Sequence, residues 1–170
     1  MISTDYVMTM ARYNRWQNGS LIAAAETLPP QTLTEERGAF WGSIQKTLSH
    51  ILWADRIWMA RFERTERPAQ SMAEGATAHA SLAAYISDRE SYDAHILTWA
   101  DTVESKWLAS DLTWFSGAAG LQLSMPAGLA VTHFFNHQTH HRGQAHAMIT
   151  SAGAKPEDTD LFLMPGAAAT

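Results

Sequence analysis

The sequence predicts an all-α protein: a four-helix bundle with long connections and a short hairpin before the last helix. Two observations carry this reading. Four segments of about 20 to 25 residues repeat their apolar positions at spacings of three and four, the signature of a helix with one buried face. The stretches between them are broken by Pro and Gly.

The first segment runs from about Thr4 to Leu28. Tyr6, Met10, Tyr13, Leu21, Ala24 and Leu28 follow helical spacing apart from one longer step. Asn18-Gly19 is a weak point, costing about 1 kcal/mol relative to Ala, and Pro29-Pro30 ends the segment. The second runs from about Trp41 to Arg64, with Ser43, Thr47, His50, Ala54, Ile57 and Arg61 on one side. The stretch from Glu66 to Ala78, interrupted by Pro68 and Gly75, reads as a long loop. The third segment runs from about Ser81 to Val103 on a stripe of Leu82, Ile86, Ile96 and Val103. From Ser110 to Met125, two apolar runs flank Gly117 and Gly120, which suits short strands or an irregular hairpin. The fourth segment follows Pro126 and stops near Ala152, ahead of Gly153. The tail, with Pro156 and Pro165, reads as extended.

With 170 residues, 46% of them apolar, the chain is of a size to form one packed domain over 1–170. The net charge of −5 comes with no basic tract, which argues against a nucleic-acid partner. No run of about 18 apolar residues exists, so no membrane span is expected. The N-terminus lacks the charged and apolar regions of a signal peptide, so the expected location is cytoplasmic. With no cysteine, any metal must be held by nitrogen and oxygen.

Eight histidines are the anomaly, and five of them lie between His133 and His146. Counting 100° per residue from His137, His141 lies at about +40°, Gln144 at about −20°, Met148 at about +20° and His133 at about −40°. His137 and His141 therefore sit in the stripe expected to face the core. Buried imidazoles need partners. A shared metal supplies them, and so do hydrogen bonds to Ser, Thr or backbone groups. The spacing i, i+4 is a standard presentation of two histidines to one ion. The second segment offers one histidine, His50, on its own core-like face. His133 competes as a ligand on position alone, but 133, 137 and 141 together span about 12 Å, too far to share one ion. His133 fits better behind the ligands or in the pocket wall. Three histidines with an open position form the catalytic pattern for zinc and similar ions.

The residues also carry a resemblance. Ala11-Arg12-Tyr13-Asn14-Arg15-Trp16, Thr47-Leu48-Ser49-His50, Ala54-Asp55-Arg56-Ile57-Trp58 and above all His133-Phe134-Phe135-Asn136-His137-Gln138-Thr139-His140-His141-Arg142-Gly143-Gln144 resemble the DinB-like family of bacterial metal-binding four-helix bundles, grouped with YfiT-type proteins. The resemblance covers nearly the whole chain. It implies one divalent metal ion per chain (zinc, nickel or iron) on His50, His137 and His141, and a homodimer. It also implies a small-molecule substrate, including thiol-dependent transferase or isomerase chemistry with a low-molecular-weight thiol.

A bound metal of this kind activates either a water or a thiol. Hydrolysis needs a general base, and the face of the last helix carries no carboxylate. Asp55 sits about 140° from His50, where a structural pairing is expected. The thiol reading is therefore preferred; the alternatives are a metal-dependent hydrolase and a non-enzymatic dimer that binds a metal or a stress ligand. Gln144, Tyr13, Trp16, Gln17 and Trp53 are further pocket candidates, with core packing the alternative for each. Arg61, three turns from His50 on the same face, suits either an anionic group or the solvent. Arg142, off the metal face, is expected to pair with an acid or reach an interface.

Overall fold

In the computed structural model, residues 2–117 and 119–166 are described. Four long helices, α1 (Thr4–Glu26), α3 (Ile44–Glu63), α5 (Leu82–Thr102) and α7 (Ala127–Ser151), account for most of the chain. The connections contain three short helices, α2 (Pro30–Thr34), α4 (Met72–Ala76) and α6 (Ser105–Leu108), and an antiparallel hairpin, β1 (Asp111–Ser116) and β2 (Leu121–Pro126). Helix α1 packs on α5 and α7, and α3 on α7 and α5. Among the described residues no helix is long and apolar enough to cross a membrane.

The helix starts follow from their caps. Ser3, Ser43 and Ser81 each hold extended backbone and accept a hydrogen bond from the amide three residues on, satisfying a donor the helix leaves unpaired. Helix α3 begins at Ile44 and not near Trp41, because Gly42 takes a left-handed φ of 81° and Ser43 caps. The expected 66–78 loop contains α4, started by a reciprocal capping box between Ser71 and Glu74. The hairpin is regular, with Trp114 opposite Leu123. Helix α7 starts directly after Pro126, and the Ala127 amide donates to Ser110 O (2.8 Å), fastening it to the base of the hairpin.

The core has two apolar halves. One gathers Val7, Met59, Phe62, Ile96, Trp99, Phe134 and Phe135; the other gathers Leu21, Ile44, Leu48, Leu52, Tyr85, Ala145 and Ile149. Between them every long helix contributes polar side chains: Asn14 and Asn18 from α1, Asp55 from α3, Arg89 and Asp93 from α5, and Gln138 and Arg142 from α7, all buried. Arg89 is fully buried and lies 2.5 Å from Asp55 and 2.9 Å from Asp93. Gln138 donates to Asp55 (2.8 Å) and accepts from Asn14; Asn18 donates to Asp93 (3.0 Å). The Asn18-Gly19 step lies inside α1, where Asn18 is a buried member of this layer and Gly19 is exposed. Burial pushes the Asp55 and Asp93 carboxyls above their usual range, and the charge of Arg89 pulls them back.

This layer also sets the rotation of α7. Its buried face centres on Gln138, about a quarter turn from His137. His137 therefore lies at the border of the core and is only partly buried, while Arg142, expected away from the core, is buried inside it.

Candidate metal centre

At the height of the polar layer, α3 and α7 bring His50, His137 and His141 together. One ring nitrogen from each lies within 4.8 Å of the others. The Nε2 atoms of His50 and His137 are 3.4 Å apart. Two nitrogens bound at about 2.1 Å to one tetrahedral ion stand about 3.4 Å apart, so this pair already has the spacing of two such ligands.

Each ring is held differently. His141 shares a hydrogen bond between Nδ1 and Gln144 Oε1 (2.8 Å), which leaves Nε2 for the cluster. His50 Nδ1 has no partner among the described residues. Its ring is held by stacking: Trp41 lies at 4.2 Å on a 30° interplanar angle and Trp53 at 6.0 Å on 29°. Trp53 is held in turn by α4, with its indole donating to Gln70 O (3.0 Å) and its ring against Gly75, where a Cβ would collide with it. Burial, reinforced by the neighbouring imidazoles, pushes His50 down to about 3 and His137 down to about 4; burial also lowers His141. All three rings are then neutral at pH 7, the state that binds a metal.

The other candidates lie at varying distances from this cluster. His133 is exposed; its ring is 5.9 Å from that of His137 and 4.9 Å from Trp58. Tyr13, Trp16 and Gln17 hold the C-terminal tail: the Tyr13 hydroxyl donates to Thr159 O (2.7 Å), Trp16 Nε1 to Glu157 (2.8 Å) and Gln17 Nε2 to Asp158 O (3.0 Å). A cavity of about 830 Å³ on the α1 and α5 side, bordered by Trp16 and this tail, does not include the histidines. Asp55 is committed to Arg89 and Gln138. Trp41 is a contributor the sequence reading did not single out. The available signal was a pair of aromatics, Phe40-Trp41, between two glycines just ahead of a serine cap.

The sequence pattern that defines the DinB family matches residues 1–168. The chain belongs to the DinB family. It is also 26% identical over 168 residues to the protein named DinB from Bacillus subtilis (strain 168), covering 94% of this chain and 95% of that protein. In this DinB-family chain the last helix supplies two of the three clustered histidines and the residue that orients one of them.

Proposed function

We propose that this DinB-family protein is a four-helix bundle that acts as a metal-dependent enzyme. One divalent ion, zinc, nickel or iron, is held by His50, His137 and His141, and the chemistry is thiol-dependent transfer or isomerisation. The observation that carries the reading is the convergence of three imidazoles, the Nε2 atoms of His50 and His137 3.4 Å apart, at a border of the core. The donor set suits the ion: nitrogen ligands only, on two rigid helices, with one partly exposed member.

When bound, such an ion lowers the pKa of a coordinated thiol or water toward neutrality. The residues here favour the thiol. Asp55, the acid nearest His50 in sequence, is engaged with Arg89 and Gln138 and is no free base for water. The chain has no cysteine, so the thiol is a cosubstrate. It loses its proton to solvent, and its sulfur forms the new bond to an electrophilic carbon as that carbon's bond to a leaving group breaks; the bonding pair departs with the leaving group, which takes up a proton from solvent. Gln144 orients His141, and Trp41 and Trp53 fix His50. A small-molecule substrate, a cytoplasmic setting and a homodimer complete the proposal.

Elemental analysis of the purified protein beside His137→Ala tests it. About one metal per chain, lost in the variant, is expected, followed by thiol-dependent turnover of electrophiles. Absence of metal from both proteins overturns the metal-centre reading, and metal with turnover that ignores thiol overturns the transferase.

A further inference from the structure

Farther along α3 from His50 lies a cation with no ion-pair partner among the described residues. Arg37, Arg56 and Arg89 each have a carboxylate within 2.9 Å. Arg61 has neither an ion pair nor a hydrogen bond among the described residues. Its guanidinium instead lies 4.3 Å from the Trp58 ring and 5.2 Å from the Trp114 ring. Trp58 packs on His133 at 4.9 Å, and His133 on His137 at 5.9 Å, so ring-to-ring contacts run unbroken from the guanidinium to the metal ligands. The charge of Arg67, which acts on Arg61, has the same sign. Arg67 raises the cost of holding Arg61 charged, and its guanidinium reaches the hairpin beside Gly117. Partial burial and Arg67 lower Arg61 to about 10, which leaves it fully charged at neutral pH. Two arginines near one another with no ion pair among the described residues are complementary to an incoming anion.

We propose that Arg61, lying against the packed Trp58 and Trp114 rings, is a substrate-binding residue that takes a carboxylate of an elongated thiol cosubstrate whose sulfur sits at the histidines. This rests on the metal-centre reading and adds the substrate class. Arg61 lies about 16 Å from His50 along the helix axis, on the same face. Its side chain leans back toward the N-terminus and shortens that span. The sulfur and the carboxylate are therefore separated by several bonds, and Arg61 selects by length as well as by charge.

The test uses zinc-loaded full-length protein and calorimetric titration with mercaptohexanoate, its neutral analogue mercaptohexanol, and the short mercaptoacetate. Wild type is expected to bind mercaptohexanoate about tenfold more tightly than mercaptohexanol, with mercaptoacetate gaining nothing from its carboxylate. Arg61→Gln is expected to abolish the preference at unchanged zinc content and unchanged mercaptohexanol affinity, and Arg61→Lys to keep part of it. Equal affinities for the two long thiols in zinc-loaded wild type overturn the anion site alone. A preference that survives in Arg61→Gln overturns the assignment to Arg61. Failure of wild type to take up zinc overturns the reading underneath.

Discussion

Arg89 offers the sharpest test of how the core is held. Its side chain is fully buried, with carboxylates at 2.5 and 2.9 Å and no water-exposed route for its charge. Arg89→Met keeps much of the volume and removes the cation, leaving Asp55 and Asp93 buried with one less counter-charge. Breaking a buried pair by removing one partner costs about 3–5 kcal/mol. At a urea dependence of about 2 kcal/mol per molar, the unfolding midpoint is expected to fall by about 2 M. Trp fluorescence during urea titration reads this directly. The deficit has a predictable pH dependence. Carboxyls whose folded pKa is raised contribute stability that is present below the unfolded value of about 3.9 and is lost as pH rises through the folded value. The gap between variant and wild type is therefore widest at neutral pH and narrows on acidification. Arg89→Met combined with Asp93→Asn leaves one negative charge facing Arg142 and is expected to regain part of the loss. A midpoint shift of less than about 0.5 M in the single variant, or a gap that widens at low pH, refutes the reasoning.

Gln144→Leu removes the acceptor for His141 Nδ1 and is expected to weaken metal affinity about 10- to 100-fold with little change in stability, measured by competition with a chelator. Gly75→Ala places a methyl group against Trp53; a cost of about 1–3 kcal/mol and a weaker metal site are expected, and calorimetry together with metal titration checks both. For metal-free protein, the lowered His50 and His137 contribute stability that is full above about 6.5 and is lost as pH falls toward 4 and 3. The thermal midpoint should drop over that window, and less so in His137→Asn.

Much of this could be read in the sequence because it is local. Serine caps, Pro29-Pro30, Gly153 and apolar spacing place the four long helices to within a few residues, and the i, i+4 histidines with a third on another helix single out the cluster. The rotation of α7 could not be read, because a search for apolar stripes misses a face whose centre is Gln138 and whose flank is Arg142. Trp41 was hidden by lying in a loop, and Gly75 looked like an interruption when it is the seat of Trp53. Tyr13 and Trp16 meet partners more than 140 residues away, and no spacing rule reaches that far.

The charged layer across the middle of the helices has a consequence for precision. Apolar surfaces tolerate sliding, since one leucine substitutes for another a turn away. Asp55, Arg89 and Gln138 do not: moving one helix by a turn, about 5.4 Å, would strand a buried charge. The layer acts as a detent, a single axial position in which four helices engage. Because Gln138 and Arg142 directly follow His137 and His141 in the chain, that same detent sets the height of the histidines of α7 relative to the one on α3.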